Sequence, residues 1–219
     1  AAVARVGEEV ADMQAIADAE GAGITIEPWD YRYYAEKVRK AKYDLDSAEI
    51  KPYFQLDKMM DALFDAAGKL YGMTFTETTG NIPVFDPEVR TFEVKRGDKV
   101  IGVQFFDNFA RNGKRSGAWM TTYKDAYKLG GENEYTIASN NNNFVKGGDG
   151  EPTLISLDDA TTLFHEFGHA LHYLNYDITY PGLAGTPRDF VEYPSQVNEN
   201  WLMTPYILST YATHYKTGE

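Results

Sequence analysis

The chain has 219 residues, of which 43% are hydrophobic and 14% aromatic, so it is long and apolar enough to fold around its own core. Its formal net charge of −12 argues against a nucleic-acid surface, because phosphate binding needs clustered lysine and arginine. The absence of cysteine excludes disulfides and thiolate chemistry, and no run of about 18 apolar residues is present that could span a membrane.

The ends of the chain show no targeting signal. The sequence begins AAV without an initiator methionine, and no basic stretch followed by an apolar one marks a signal peptide. We therefore expect a segment of a larger protein. A cysteine-free sequence is compatible with the cytoplasm or the periplasm, and we slightly favour the cytoplasm.

Residues 1–72 have the pattern of helices. Apolar residues at helical spacing predict one helix from Val3 to Glu20 and a second in WDYRYYAEKVRKAKYDL, residues 29–45. A third helix is expected from Gln55 to Tyr71, with Gly72 as the residue that ends it. This first segment is predicted to supply the N-terminal helices of the fold.

The pattern then alternates, as in strands, over residues 73–145. MTFTET and VRTFEVKRGDKVIGVQFF are typical of strands, with Gly97 in a tight hairpin connection, and GAWMTTY and EYTIASNN continue the strand-like zone. Helical patterning returns in residues 146–219, where Ser156 and Asp159 resemble a capping box. This order predicts a mainly helical α+β fold with a small antiparallel β-sheet, whose three segments together form one incomplete domain.

The stretch TTLFHEFGHALHYL holds three of the four histidines. In a helix, His165 and His169 lie side by side at i and i+4, a spacing that suits two imidazoles binding one cation. Glu166 is rotated by about 100°, so it can sit beside an open coordination position and move a proton from a metal-bound water to a leaving amine. The pattern predicts a catalytic zinc site that lacks its third ligand; the alternative is a helix with two buried, hydrogen-bonded histidines.

A third ligand is expected downstream. Thr186 and Pro187 predict the start of a helix through RDFVEYPSQVNENWL, with a kink at Pro194. One face of this helix is polar and consists of Asp189, Glu192, Gln196 and Glu199. A carboxylate from this face would complete a His₂Glu zinc set and leave one position for water, although spacing alone does not choose between Asp189 and Glu192. The alternative is a face exposed to solvent.

Further residues are assigned around this centre. The extended spacing HExxHxxGxxH fails, because His172 and Asn175 occupy its glycine and histidine positions. His172 is expected to be a packing or surface residue, and His214 a structural one. Glu199 is a candidate acceptor for the second nitrogen of a metal-bound histidine, with Asp189 next and plain solvent exposure as the alternative for Glu199.

Substrate contacts are also predicted. A site that binds a free C-terminus needs a cation for the carboxylate, and the candidates are Arg111, Lys114, Arg115 and Arg188. For the first three, a solvated turn is the alternative. The strand around residues 135–142 either presents an edge to an extended peptide or lies inside the sheet. Gly168, inside the motif helix, suggests the close approach of another backbone, with side-chain packing as the alternative.

HEFGHALH, followed by GTPRDFVEYPSQVNENW, closely resembles the thimet-oligopeptidase family of zinc metallopeptidases, and GTPRDFVEYPSQ looks most like its bacterial peptidyl-dipeptidases, which are similar to dipeptidyl carboxypeptidases. FARNGKRSGAW and other upstream stretches extend this likeness over essentially the whole chain. The resemblance implies zinc ligands at His165, His169 and Glu192, which favours Glu192 over Asp189, and a catalytic Glu166. It also implies a zincin-like segment that hydrolyses short peptides, with release of C-terminal dipeptides in the full-length protein.

The resemblance also implies that parts of the protein are missing. Chains of that family are about three times as long, so the N-terminal wall of the substrate channel and a later C-terminal segment lie outside this sequence. The later segment is expected to carry donors to the reaction's oxyanion, whose loss costs about 10²–10³-fold in rate. The segment alone is therefore expected to be a weak enzyme. The alternative is a non-catalytic segment that binds zinc or only completes the channel of a larger peptidase.

Overall fold

The computed structural model describes residues 2–43, 47–131 and 133–219, which fall into two compact units, Ala1–Glu49 and Ile50–Glu219. Helices account for 43% of the described residues. Across the described ranges, no helix combines the length and the apolar character needed to cross a membrane. The subdivision at residues 72 and 145 stays a prediction.

The first unit consists of helices. Its elements are α1 (Ala2–Ala19), α2 (Tyr31–Tyr43) and most of the short α3 (Ser47–Ile50). Met13 and Ala17 of α1 are buried together with Tyr34 of α2, so the two long helices share a small core. The first predicted helix is confirmed. The second is confirmed over α2, and the end of its predicted range, Asp44 and Leu45, lies outside the described residues.

The described residues of the second unit form a five-stranded sheet and four α-helices. Its elements are α4 (Leu56–Tyr71), β1 (Met73–Glu77), β2 (Arg90–Arg96), β3 (Lys99–Phe109), β4 (Trp119–Lys124), β5 (Thr136–Phe144), α5 (Leu157–Leu174), α6 (Glu192–Leu202) and α7 (Pro205–Tyr211). Short 3₁₀ turns cover Lys51–Tyr53 and Leu129–Gly131. Gly72 ends α4 with φ 66°, and Gly97 turns the β2–β3 hairpin with φ 58°, backbone angles that favour glycine. Both predicted turning points are confirmed.

The sheet differs from the antiparallel one that was predicted. Its strand order is β1-β2-β3-β5-β4, and β5 pairs in parallel with β3, while the other pairs are antiparallel. The predicted antiparallel pairing is thus correct for three of the four described pairs, and the parallel pair was missed because alternation along a strand does not indicate its neighbours in the sheet. Strand β5, the last of the five in sequence, lies between β3 and β4. The strand around residues 135–142 is therefore interior, and among the described strands β1 and β4 form the two edges.

Helices α4 and α5 pack on one face of this sheet around a group of phenylalanines. The Phe64 ring lies between 4.9 and 6.2 Å from the ring centroids of Phe92, Phe106 and Phe167. Phe106 and Phe167 are fully buried. Because α5 contributes Phe167 to this core, the residues that follow His165 along the helix are held firmly against the sheet.

Helix α6 begins later than predicted. It starts at Glu192 rather than near Pro187, and Pro194 lies in its first turn instead of kinking its middle. A helix that started at Pro187 would place the Pro194 ring against the carbonyl of Phe190. In the first turn the missing N–H of a proline has no consequence, because those N–H groups have no partner within the helix.

Helices α5 and α6 approach each other closely at Gly168. A Cβ atom at this position would lie 2.7 Å from the Cα of Ser195 and 2.8 Å from the Cβ of Asn198. The Asn198 side chain also donates to the carbonyl of Phe164 at 2.7 Å. The close approach that the sequence suggested at Gly168 is therefore present, and α6 is the element that approaches.

We expect Gly168→Ala to lower the free energy of unfolding by about 1–2 kcal/mol, because overlap with the Ser195 backbone outweighs the gain in helix propensity of about 1 kcal/mol. Gly7 in α1 is the matched control, since nothing lies within 4 Å of a Cβ built there. Gly7→Ala should stabilise its helix by about 0.5–1 kcal/mol. Urea unfolding followed by circular dichroism measures both, and the same sign for the two variants would contradict the steric explanation.

Candidate metal centre

A capping box fixes the start of α5 and so the placement of its histidines. The Ser156 hydroxyl oxygen accepts from the Asp159 N–H at 3.0 Å, and the Asp159 carboxylate accepts from the Ser156 N–H at 3.0 Å. The predicted capping box is confirmed. Two turns later, His165 and His169 share one face of the helix, with ring centroids 4.9 Å apart.

Glu192, at the start of α6, meets both imidazoles. Its Oε2 lies 3.1 Å from His165 Nε2 and 3.2 Å from His169 Nε2, and the three donor atoms lie within 4.8 Å of one another. Asp189, the alternative in the sequence, is exposed and lies outside this group. Two imidazole nitrogens and one carboxylate oxygen form the donor set of catalytic zinc sites.

The hydrogen bonds of these residues fit a cation between them. His165 Nδ1 lies 2.6 Å from Glu199 Oε1, and a proton on Nδ1 leaves the lone pair of Nε2 facing the Glu192 carboxylate. The Nε2 lone pair and the carboxylate oxygen are both electron-rich and repel each other, so a cation between them would stabilise this arrangement. Burial lowers the pKa of His169, which favours the neutral imidazole that a metal ion binds.

Glu192 remains charged in this setting. Burial alone would raise the pKa of its carboxyl, but the hydrogen bond from Ser195 and the interactions with the His169 and His165 rings bring the pKa below its ordinary value. The Ser195 hydroxyl lies 3.0 Å from Glu192 Oε2. A charged carboxylate is the form that binds a cation.

Glu166 lies beside this group without belonging to it. Its side chain is 7% exposed, and burial raises the pKa of its carboxyl, while the backbone N–H of Met120 in the edge strand β4 favours the charged form. An open recess in front of it is lined by Ala118, Thr161, Thr162, His165, Glu166 and Glu199. A carboxylate with a raised pKa beside an open recess is suited to proton transfer.

Two of the predicted substrate cations are engaged within the protein. Arg111 contacts both oxygens of the buried Asp107 at 2.7 and 3.0 Å, and its Nε lies 3.1 Å from Asp86. The Lys114 ammonium is 3.0 Å from Asp107 Oδ1 and donates to the carbonyls of Asp107 and Phe109. These contacts favour a role in fixing the β3–β4 loop, and binding of a substrate carboxylate by either residue stays a prediction.

The remaining predicted residues are at the surface or in packing. Arg115 and Arg188 are exposed, as their proposed role requires. The His172 ring packs against Tyr176 and Phe190, at centroid distances of 5.3 and 6.4 Å, and His214 packs against Tyr53.

Ser195 and Asn198 were missed by the sequence reasoning. Ser195 follows Glu192 by one helical turn, and this spacing was the signal that could have identified it. Asn198 offered no such signal, because its partner, the Phe164 carbonyl, lies on another helix.

The amino-acid sequence was also compared with protein families and with known proteins. The family model described as Peptidase family M3 matches residues 1–219. The dipeptidyl carboxypeptidase of Escherichia coli is 42% identical over 222 residues, which cover 100% of this chain and 32% of that protein. Oligopeptidase A of Salmonella typhimurium is 37% identical over 217 residues, 97% of this chain and 32% of the relative. The chain thus spans about a third of the length of these relatives.

Proposed function

This chain belongs to peptidase family M3, and on that premise we propose that it is the segment that carries the catalytic zinc centre of a peptidase. The resemblance of HEFGHALH and GTPRDFVEYPSQVNENW to that family is thereby confirmed. The observation that carries the zinc proposal is the convergence of Glu192 Oε2 on the Nε2 atoms of both His165 and His169.

The residues around the centre have complementary roles in this proposal. His165, His169 and Glu192 would hold zinc, which when bound polarises the scissile carbonyl and acidifies the attacking water. Glu166 accepts the proton of that water and passes it to the leaving amine. Its burial supports this role, because a raised pKa makes the carboxylate a stronger base towards the water proton and lets the carboxyl hold that proton until the amine accepts it.

Short peptides are the proposed substrates, with release of C-terminal dipeptides by the full-length protein. Identities of 42% and 43% to two dipeptidyl carboxypeptidases, against 37% to an oligopeptidase A, support this branch. The edge strand β4 beside α5 supports a zincin-like arrangement, in which an extended peptide pairs with a free strand edge.

A non-catalytic segment is the second candidate. The chain covers only 32% of the dipeptidyl carboxypeptidase of E. coli, so the remaining walls of a substrate channel are not part of it. In this case the segment binds zinc, or only completes the channel of a larger protein, without appreciable turnover.

The test uses two N-blocked peptides of the same sequence, one with a free C-terminus and one amidated, incubated with the zinc-loaded chain. We expect release of dipeptides from the free form, identified by mass spectrometry, with zinc bound at one equivalent by metal analysis. Internal cleavage of both peptides would favour an oligopeptidase instead. No cleavage of either peptide with zinc bound would favour the second candidate.

Glu199 should act through His165. We expect Glu199→Gln to weaken zinc binding by about 10–100-fold, because it removes the charge that orients the imidazole and raises its basicity. Glu27→Gln, at an exposed position in the first unit, is the control and should leave zinc affinity unchanged. Competition with a chelating dye measures both dissociation constants, and equal affinities in the two variants would contradict the assignment.

A further inference from the structure

We propose that Ser195 is a positioning residue that holds the carboxylate of Glu192 in place at the metal centre. The inference rests on the proposed function, since it takes Glu192 as a ligand of the zinc. Ser195 is not one of the three proposed ligands; it acts through its hydrogen bond to Glu192 Oε2.

Glu192 needs such support because little else restrains it. Its side chain is 53% exposed, and it lies in the first turn of α6 on a stem with three rotatable bonds. The two histidines are restrained by their own surroundings, because α5 packs against the sheet and His165 is hydrogen-bonded to Glu199. The carboxylate is therefore the least constrained of the three donors.

Ser195 supplies the restraint from a fixed position. It is fully buried, and its hydroxyl lies 3.0 Å from Glu192 Oε2 and 2.9 Å from the Glu192 carbonyl oxygen. The carboxylate is the stronger acceptor because it is charged. Since Oε2 is also the oxygen that faces both Nε2 atoms, this hydrogen bond selects the rotamer in which the carboxylate points at the histidines.

The position of Ser195 is itself set by the packing of α6 on α5. Its Cα lies 2.7 Å from where a Cβ at Gly168 would stand, so only glycine permits this approach.

Two further contacts hold the same two helices together. Asn198 donates to the Phe164 carbonyl at 2.7 Å, and Glu199 contacts His165 at 2.6 Å. Three consecutive contacts therefore join the helices: α6 contributes Ser195, Asn198 and Glu199, and α5 contributes their respective partners Gly168, Phe164 and His165. The register of the two helices is fixed at the turn that presents Ser195.

The experiment measures the zinc dissociation constant of the 219-residue chain by competition with a chelating dye. We expect Ser195→Ala to weaken zinc binding by about tenfold or more, as loss of a group that orients a ligand does. Ser209→Ala is the matched control. Ser209 bonds the carbonyl three residues back, as Ser195 does, but in α7 and away from the centre, so its removal should change zinc affinity less than twofold.

A double-mutant cycle separates positioning from general destabilisation. In a Glu192→Ala background, Ser195→Ala should change zinc affinity less than twofold, because the group that it positions is gone. An effect of the same size in both backgrounds, or an affinity within twofold of the unaltered chain for Ser195→Ala alone, would overturn the proposal. Should Ser195→Ala not fold, Ser195→Gly removes the same hydroxyl with more space, and the same cycle applies.

The outcome also separates this inference from the proposed function. If the unaltered chain binds no zinc, the proposed metal centre fails. If it binds zinc and Ser195→Ala binds equally well, the centre stands and only the role of Ser195 fails.

Discussion

Glu166→Gln is expected to lower the rate of peptide hydrolysis by about 10²–10⁴-fold while zinc affinity stays unchanged. Glutamine has the shape of glutamate but cannot accept the proton of the attacking water. The carboxylate of Glu166 lies outside the group of three donor atoms, so its loss leaves those donors in place. This separation of rate from metal binding distinguishes a proton-transfer residue from a ligand.

Asp158→Asn is the control for this prediction. Asp158 is an exposed acid in the first turn of the same helix, and its neutralisation should leave the rate nearly unchanged. Hydrolysis of an N-blocked peptide, with zinc content determined in parallel, measures both variants. Equal rates for Glu166→Gln and the unaltered chain would remove the claim that this segment is an enzyme.

His169→Ala is expected to weaken zinc binding by more than about 100-fold and to abolish peptide hydrolysis. It removes one of three protein ligands, so its cost should exceed the roughly 10–100-fold that loss of an outer partner causes. Burial lowers the pKa of His169, which reduces the competition between a proton and the metal.

His172→Ala is the matched control, since His172 lies on the same helix but packs against Tyr176 and Phe190. It should retain zinc with an affinity close to that of the unaltered chain. Metal analysis after dialysis against a weak chelator measures both variants. Retention of zinc by His169→Ala, or its loss from His172→Ala to the same degree, would contradict the ligand assignment.

The part of the site on α5 could be predicted from the sequence because it depends on one helix. The capping box at Ser156 sets where the helix begins, and the period of 3.6 residues then puts His165 and His169 together. The polar face of the next helix indicated a carboxylate ligand, but the choice of Glu192 over Asp189 came only from the resemblance, because sequence spacing across the loop between α5 and α6 does not distinguish them. Its position relative to both rings follows from helix packing, which spacing does not encode.

The errors in the fold have the same origin. Strands β1 to β5 were found from their alternation, but their order in the sheet is a property of distant contacts, so the parallel pairing of β5 with β3 was missed. The start of α6 was misjudged because Thr186 and Pro187 are a good local start signal. The steric demand of Pro194 on Phe190 overrides that signal.

The insertion of β5 between β3 and β4 has a consequence for assembly during synthesis. Among the described residues, β4 pairs only with β5, so β4 has no partner until the ribosome has delivered residues 136–144. The strand that borders Glu166 is therefore completed late, just before α5 emerges. Any interruption of β5 would also leave β4 without its described partner, and β4 carries the Met120 N–H that contacts Glu166.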